Sequence, residues 1–312
     1  MLEPGTPVSG LSESGASALG LSEPHVSHPV IAAPRHALQR RGPRKRLLIA
    51  AAAAGGLLAA VIVLAQPAAL AASHRSASAT SSPSASSTSR SPPVAVAFGG
   101  TAAVGPLFTV KRGKLVHFCT AAVVSSPHGD LAITAAHCMQ GRRLGSNSTV
   151  TFAPGYHDGE FPYGQWLVRS EFVDDNWERH QDANDDFAFL LVGRARHRIQ
   201  RRTGGETLEI NVPLPKDAEV IGYPDATSLP VKCDGVADRL RLRGYRQMVF
   251  DCDGLTNGTS GGPFLMNVSR KTGRGGVFGV IGGYQQGGDT ASISYSALFQ
   301  RNMANLFRQA SA

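Results

Sequence analysis

The sequence has little cysteine, little charge and few aromatic residues. Four of the 312 residues are cysteine, while charged and aromatic residues make up 17% and 7% of the chain. Cys119, Cys138, Cys233 and Cys252 form no C-x-x-C pair, which argues against a zinc ribbon. An even number of cysteines without that spacing favours two disulfides and an oxidising compartment.

Positive charge is scarce outside the N-terminal part of the chain. The formal net charge is +8, but residues 1–93 hold eight Arg or Lys against three Glu, which leaves only +3 for the other 219 residues. The basic stretch at 194–202 lacks interleaved aromatic residues and is predicted to be a solvated loop. The sequence therefore gives no support for a nucleic-acid partner.

Three N-terminal segments differ in composition from the remainder. Residues 1–46 are rich in Ser, Pro, Gly, His and Arg without apolar periodicity, and we predict a disordered, basic, cytoplasmic segment. Residues 47–65 carry no polar side chain and would span about 28 Å as a helix. Ser, Ala, Pro and Thr dominate residues 73–93, which we predict to be a flexible linker.

The apolar segment at 47–72 has two interpretations. Because cations precede it, the positive-inside rule places the N-terminus in the cytoplasm and everything after about residue 72 outside. The length of the run favours an uncleaved transmembrane anchor, and the alternative is a signal segment cleaved near Ala71, where "ALA" is a suitable site. The following domain is then either extracellular on the cell membrane or secreted.

From residue 94 the pattern changes to short apolar runs separated by Gly, Pro, Asn and Asp. Many short strands with turn residues between them are typical of an all-β barrel or sandwich. The tail differs, because Phe299, Met303, Leu306 and Phe307 would share one face of a helix within 296–309. We therefore predict an all-β domain that ends in a C-terminal helix.

A serine lies among glycines in "NGTSGGPF", residues 257–264. Covalent catalysis by Ser260 requires a base, a group that orients the base, and donors for the oxyanion. His137, at the end of the apolar run in "AITAAHC", is the candidate base. Asp185 and Asp186 begin the apolar strand "NDDFAFLLV", where a carboxylate must be paired or exposed. Taken singly, Ser260 is explained by a turn, His137 by a place in the core and the aspartates by a solvated turn before the strand.

The order His137, Asp186, Ser260 and the surrounding motifs resemble the chymotrypsin-like (trypsin-fold) serine proteases, especially their bacterial secreted branch. "TAAHC", "DFAF" and "GTSGGP" are similar to the histidine, aspartate and serine motifs of that family. The similarity extends over about residues 98–309. It implies a protease domain at 94–312 with two six-stranded antiparallel β-barrels and a C-terminal helix.

The resemblance also implies a role for each site residue. Ser260 would be the nucleophile and His137 its general base, with Asp186 rather than Asp185 orienting the imidazole. The N–H groups of Gly258 and Ser260 would form the oxyanion hole. The activity implied is that of a serine endopeptidase that acts on proteins or peptides as a monomer, without a metal or an organic cofactor.

The disulfide pairing follows from the same resemblance. Cys119 and Cys138, which are 19 residues apart, match the bridge that brackets the catalytic histidine in that family. Exclusion then leaves Cys233 and Cys252 as the second pair, with a predicted place beside the specificity pocket because Cys252 lies eight residues before Ser260.

Residue 259 departs from the pattern of the family. Most members have Asp before the serine, and that Asp pairs with a newly cleaved N-terminus to activate the enzyme. Thr259 cannot form such an ion pair, and no Arg or Lys directly precedes "FGGT" at 98–101, which resembles the mature start of the family. We therefore expect a domain that is active without cleavage near Phe98.

The sequence alone does not assign a cleavage specificity. Asp253 lies one residue from the expected pocket floor and is better explained as a loop aspartate. The wall strand "GVIGGY" lacks the histidine on which glutamate preference depends in bacterial relatives, which argues against a glutamyl endopeptidase. A catalytically inactive binding module and a structural surface protein compete with an active enzyme, and the ordered triad argues against both.

Overall fold

The computed structural model describes residues 91–145, 148–193 and 198–312. The predicted disordered segment (1–46), the predicted anchor or signal segment (47–72) and all but the last three residues of the predicted linker (73–93) lie outside these ranges. Among the described residues, no helix is long and apolar enough to cross a membrane.

The first half of the domain is a closed antiparallel barrel. A short strand, β1 (Val96–Ala97), precedes the barrel, whose strands are β2 (Val104–Lys111), β3 (Lys114–Val123), β4 (Leu131–Thr134), β5 (Val150–Phe152), β6 (Trp166–Val173) and β7 (Ala188–Gly193). They are joined in the order β2-β3-β4-β7-β6-β5. In β3 the residues next to the hairpin turn are exposed and residues 119–123 are buried, so this strand enters the core at Cys119.

The second half is an open sheet that also takes in β1. Its other strands are β8 (Thr207–Leu208), β9 (Lys216–Gly222), β10 (Val231–Arg239), β11 (Gln247–Asp251), β12 (Pro263–Met266), β13 (Gly276–Val280) and β14 (Ile293–Ala297). The order is β14-β11-β10-β9-β12-β13-β8, with β1 antiparallel to β10 and β8 parallel to β13. The all-β prediction is confirmed.

The second six-stranded barrel expected from the resemblance is replaced by this eight-stranded half-barrel. No ladder joins β13 to β14 within the part of the chain that the structure describes. Instead, Gly282 N–H donates to the Tyr295 carbonyl at 2.9 Å, and the Ser296 hydroxyl accepts from Val280 N–H at 3.0 Å. At Val280 a side-chain oxygen is thus the acceptor where a strand carbonyl would accept in a regular ladder.

Within the described ranges, helices are few and short. They are α1 (Asp175–His180), α2 (Ile199–Thr203) and α3 (Arg301–Ala310), with 3₁₀ turns at Ala136–Met139, Ala183–Asp185 and Tyr284–Gly287. The predicted C-terminal helix is confirmed, although it begins at Arg301, because residues 296 and 297 still belong to β14. Met303 and Leu306 are buried, while Phe307 packs against Phe189 with ring centroids 5.4 Å apart.

One apolar cluster joins the two halves. It contains Ile133 and Phe187 from the first half, Ile221 and Leu265 from the second, and Met303 from α3. Because burial of such side chains contributes roughly 1.5–3 kcal/mol each, this shared core fixes the halves against each other. The loops at their junction are therefore held in place by both halves.

Candidate active site

His137 and Asp186 are each held at the end of a barrel strand. His137 lies in the 3₁₀ turn directly after β4, and its neighbour Cys138 is bonded to Cys119 on β3. Asp186 follows the 3₁₀ turn Ala183–Asp185 and precedes β7. Since β4 and β7 are paired in the barrel, these two strand ends meet.

The carboxylate of Asp186 is fully buried and has three donors. Oδ2 lies 2.7 Å from His137 Nδ1 and accepts from Gly283 N–H at 2.7 Å, while Oδ1 accepts from His137 N–H at 2.9 Å. These bonds offset the cost of burying a charged group. They also fix the imidazole ring so that Nδ1 faces the carboxylate and Nε2 faces the opposite side.

Asp185 has a different set of partners. Its carboxylate is also fully buried, and it accepts from Asn176 Nδ2 at 3.2 Å and from Asn302 Nδ2 in α3. Burial raises the pKa of Asp185, with a smaller contribution from the charge of Asp174. The carboxyl that contacts His137 is thus that of Asp186, while Asp185 ties the C-terminal helix to the same loop.

Ser260 lies in a turn that only glycines permit. Gly258 has a φ of +92°, and a Cβ there would lie 2.6 Å from the Tyr223 carbonyl. Gly261 has a φ of +80°, and its Cβ would lie 2.1 Å from Thr134 Oγ1. Side chains at these two positions would therefore push the turn away from its neighbours.

The N–H groups of Gly258 and Ser260 have no acceptor within the described ranges. By contrast, the next two N–H groups donate to the Ile281 and Thr259 carbonyls at 2.7 and 2.8 Å. Two free donors, separated by Thr259, whose N–H donates to the Thr256 carbonyl at 3.1 Å, are compatible with an oxyanion hole.

The turn and the histidine meet at the first disulfide. Cys138 Sγ lies 3.7 Å from the Ser260 carbonyl oxygen and 3.8 Å from His137 Nε2. The Ser260 hydroxyl itself makes no hydrogen bond with any residue that the structure describes. Both disulfides, Cys119–Cys138 and Cys233–Cys252, are present with sulfur–sulfur distances of 2.00 Å, which confirms the predicted pairing.

Thr120 is a residue of the site that the sequence did not indicate. It is fully buried, its N–H donates to the Ser260 carbonyl at 2.7 Å, and its hydroxyl donates to the Gly258 carbonyl at 3.0 Å. The same hydroxyl accepts from Tyr223 N–H at 2.9 Å, and the Thr120 carbonyl accepts from Thr134 Oγ1 at 2.7 Å. Thr120 therefore holds both residues of the candidate oxyanion hole. A threonine in a strand carries no signal of such a role, which only the folded contacts give.

His117 was also missed. Its Nε2 lies 3.0 Å from the Tyr223 carbonyl, and a Cβ on Gly258 would come within 2.9 Å of the same nitrogen. Burial lowers the pKa of His117, while the hydrogen bond to Tyr223 and the charge of Asp225 act in the opposite direction. The imidazole packs behind the turn that carries the free N–H groups.

A cavity of about 450 Å³ opens beside Ser260. Its lining residues include the exposed Asp225 and Asp289 and the buried apolar Leu255 and Ile281, and contain no Lys, Arg or His. Asp253 is not among the lining residues. Its carboxylate instead accepts from the Ser292 hydroxyl, and its main chain contacts residues 93–95. A larger cavity, of about 880 Å³, includes none of the candidate catalytic residues.

Comparison with solved structures gives several similar proteins. Protease Anisep from Arthrobacter nicotinovorans is 21% identical with a TM-score of 0.59, covering 70% of this chain and 99% of that one. The thermostable serine protease AL20, from an extremophilic microorganism, is 22% identical with a TM-score of 0.57, covering 68% and 97%. A Glu endopeptidase is 15% identical with a TM-score of 0.52, covering 72% and 98%.

Sequence comparisons find fewer similar proteins. No protein-family model matches the chain. The extracellular metalloprotease of Bacillus subtilis (strain 168) is 26% identical over 106 residues, which are 34% of this chain and 33% of that protein. The chain thus spans about a third of the length of this curated relative.

The name of that relative raises the question of a metal site. One group of potential ligands lies within 4.8 Å among the described residues, namely Cys119, His137 and Cys138. Its two sulfurs are joined in a disulfide, and a disulfide sulfur is not the thiolate that binds zinc. This group does not fit a metal ion. The fold agrees instead with the serine protease structures, and the described domain has the chymotrypsin-like (trypsin) fold that its motifs predicted.

Proposed function

We propose that this protein is a serine endopeptidase that hydrolyses peptide bonds through Ser260, His137 and Asp186. The observation that carries the proposal is the fully buried Asp186 carboxylate, bonded at 2.7 Å to the imidazole of His137. The other ring nitrogen, Nε2, lies 3.8 Å from Cys138 Sγ, an atom that is also 3.7 Å from the Ser260 carbonyl oxygen. The fold that the chain shares with protease Anisep and with serine protease AL20 supports the same function.

The chemistry proceeds in two halves. His137 Nε2 removes the proton of the Ser260 hydroxyl as Oγ attacks the peptide carbonyl carbon, and Asp186 stabilises the imidazolium that forms. The carbonyl oxygen becomes an oxyanion that accepts from the N–H groups of Gly258 and Ser260, each worth about 3–4 kcal/mol in such sites. His137 then gives its proton to the leaving amine, the C–N bond breaks, and an acyl-enzyme remains. Water attacks the ester by the same steps and releases the acid and the free serine.

The substrate is a protein or peptide whose residue before the cleaved bond is not acidic. Asp225 and Asp289 line the cavity beside Ser260, and no cationic side chain lines it. A glutamate side chain entering this cavity would face two like charges, which disfavours its binding. A neutral or cationic side chain would instead contact Leu255 and Ile281. This expectation separates the protein from the Glu endopeptidase with which it shares its fold.

The proposed site of action is outside the cytoplasm. Two disulfides are typical of an oxidising compartment, and the apolar run at 47–65 offers a means of export. We propose that the domain is either anchored in the cell membrane or released after cleavage near Ala71, and that it works as a monomer.

Labelling with a fluorophosphonate probe tests the catalytic proposal. We expect the full-length oxidised protein to be labelled, and the Ser260→Ala and His137→Ala variants to remain unlabelled, because only an activated serine reacts with the probe. Variants that melt at the wild-type temperature provide the control for folding. A folded wild type that takes no label would support the alternative, a catalytically inactive binding module.

A further inference from the structure

The residues before Phe98 are built into the second half of the domain. β1 pairs with β10, and upstream of it Ala95 N–H donates to the Asp253 carbonyl at 2.7 Å. Asp253 N–H in turn donates to the Pro93 carbonyl at 2.8 Å. Residues 93–97 thus form a continuous hydrogen-bonded edge, which we call the positioning segment.

The positioning segment contacts the loop that forms one wall of the cavity beside Ser260. Asp253 is two residues before Leu255, which lines that cavity. Gly254 N–H donates at 3.0 Å to the carbonyl of Ala291, another lining residue, and a Cβ on Gly254 would lie 3.4 Å from the Ala95 Cβ. The segment, the loop and the opposite wall are therefore in direct contact.

In most chymotrypsin-like proteases, a newly cleaved N-terminus pairs with the residue before the catalytic serine. The corresponding residue here, Thr259, already has a hydrogen-bond partner. Thr259 is buried, with 1% of its surface exposed, and its hydroxyl donates to the Thr256 carbonyl at 2.7 Å. A Cβ on Gly222 would lie 2.5 Å from the Thr259 Cβ, so Gly222 provides the space that Thr259 occupies. No carboxylate stands at this position to pair with an amino group.

We propose that the positioning segment, residues 93–97, is retained in the active protein and holds the cavity wall in its catalytic position. The inference rests on the proposed protease function, and it reverses the activation expected of the family. Cleavage near Phe98 would create an amino terminus with no carboxylate partner at Thr259, and it would release a strand on which the Asp253 loop depends. Ala95 is the central positioning residue, because its N–H bonds directly to that loop.

The first test determines which form of the protein reacts with the probe, the form that contains residues 93–97 or a form that has lost them. The full-length protein is labelled with the fluorophosphonate probe, with Ser260→Ala as the blank, and the labelled polypeptide is identified by intact mass and N-terminal sequencing. We expect every labelled species to contain residues 93–97. Label found only on species that begin at or after Phe98 would overturn the inference while leaving the protease function intact. Absence of label that depends on Ser260 would overturn both.

A pair of proline variants in the full-length protein gives the second test. Ala95→Pro removes the N–H that bonds to Asp253, whereas Val94→Pro is a matched control, because Val94 is 65% exposed and its N–H makes no hydrogen bond within the described ranges. We expect Ala95→Pro to lower kcat/KM about tenfold through KM for peptides with a large side chain before the cleaved bond. Labelling of Ser260 should persist, and Val94→Pro should match the wild type.

Two results would contradict this role of Ala95. One is equal activity of the two variants, which would mean that the bond to Asp253 has no effect on the cavity. The other is a parallel loss of labelling, melting temperature and activity toward all peptides in Ala95→Pro, which would indicate a general effect on folding. A loss limited to peptides with large side chains supports the inference, since a purely structural role would not select among substrates.

Discussion

The two halves of the domain contribute to the candidate site in different ways. The first half is a closed barrel, and His137 and Asp186 stand at the ends of two of its paired strands. The second half is an open sheet, and its loops carry Ser260, the two free N–H groups and the cavity. The candidate base and its carboxylate are thus fixed by strand pairing, while the groups proposed to meet the substrate lie on loops.

The opening in the second sheet has a direct consequence. The chain between β13 and β14 runs through residues 281–292, and half of the residues that line the cavity belong to it. If a full ladder closed these two strands, as in the first barrel, this connection would have less room. The missing ladder and the cavity beside Ser260 are therefore found in the same part of the second half.

The junction between the halves is made by a few buried polar groups. Gly283 from the second half bonds Asp186 in the first, and Thr120 in the first half holds Gly258 and Ser260 in the second. Substitutions of these groups and of the disulfide cysteines therefore distinguish what each half contributes to activity and to stability.

The largest effect on activity is expected from substitution of Asp186, and its neighbour Asp185 provides a matched control in the same half. Asp186→Asn should lower kcat about 10⁴-fold, because an amide cannot hold His137 in the required tautomer or stabilise the imidazolium. Asp185→Asn should keep activity within about tenfold and lower the melting temperature, since Asp185 accepts from Asn176 and Asn302 and not from His137. Peptide hydrolysis and thermal melting of both variants check this. Similar kcat losses in the two variants would contradict the assignment.

The two disulfides allow a direct comparison of the halves. Each closes a loop of the same sequence separation, 19 residues, so the chain-entropy model predicts an equal loss of about 3 kcal/mol when either is replaced by two alanines. Their effects on catalysis should differ. Loss of Cys119–Cys138 should lower kcat, because Cys138 contacts both His137 and the Ser260 carbonyl, whereas loss of Cys233–Cys252 should raise KM.

Urea unfolding and steady-state kinetics of the two double variants test this prediction. The matched control is the reduced wild type, which lacks both bridges. Equal changes in kcat and KM for the two variants would mean that neither bridge has a local role at the site.

Glu206 lies at the junction and gives a dependence of stability on pH. Its main chain bonds Val123 and Ser125 in the first half, and its fully buried carboxyl accepts from Gly275 N–H at 2.6 Å in the second. The other carboxyl oxygen has no partner within the described residues. Burial raises the pKa of Glu206 from 4.5 to about 7.

The raised pKa of Glu206 determines how the free energy of unfolding changes with pH. The charged form is disfavoured in the folded state, so the contribution of Glu206 to stability is complete below pH 4.5 and is lost as pH rises through about 7. The loss is at most about 3 kcal/mol. We expect Glu206→Gln to remove it, so that the free energies of unfolding of the variant and the wild type diverge between pH 5 and pH 8. Parallel pH profiles of the two proteins would contradict this prediction.

The sequence carried enough information to predict an all-β domain with a C-terminal helix and to nominate candidate catalytic residues, but not the open second sheet. Short apolar runs and turn residues predicted strands, and three motifs in one order selected His137, Asp186 and Ser260. These features are local, because each motif is a strand end or a turn whose residues are close in the chain. The helix at the C-terminus was likewise visible from the spacing of Met303 and Leu306.

Long-range contacts could not be predicted in this way. Thr120 and Gly258 are 138 residues apart, and only the packing of β3 against the serine turn gives the threonine a role. Where β13 and β14 come together, the hydroxyl of Ser296 accepts from Val280 N–H in place of a ladder carbonyl, a contact between residues 16 apart. The position of Asp253 depends on its bonds to Pro93 and Ala95, which no local pattern indicates.

The smallest effect on kcat is expected from substitution of Thr120. This residue forms the most direct contact between the two halves at the candidate site. Thr120→Val keeps the shape of the side chain and removes the hydroxyl, which leaves the Gly258 carbonyl and Tyr223 N–H unpaired in a buried place at a cost of about 1–3 kcal/mol. We expect kcat to fall about tenfold, because the free N–H of Gly258 is no longer held in position. Thr120→Ser retains the hydroxyl and should restore most of the activity. If valine and serine at this position gave the same kcat, the Thr120 hydroxyl would have no role in holding the Gly258 donor, and the main-chain bond from Thr120 to the Ser260 carbonyl would be the contact that positions the turn.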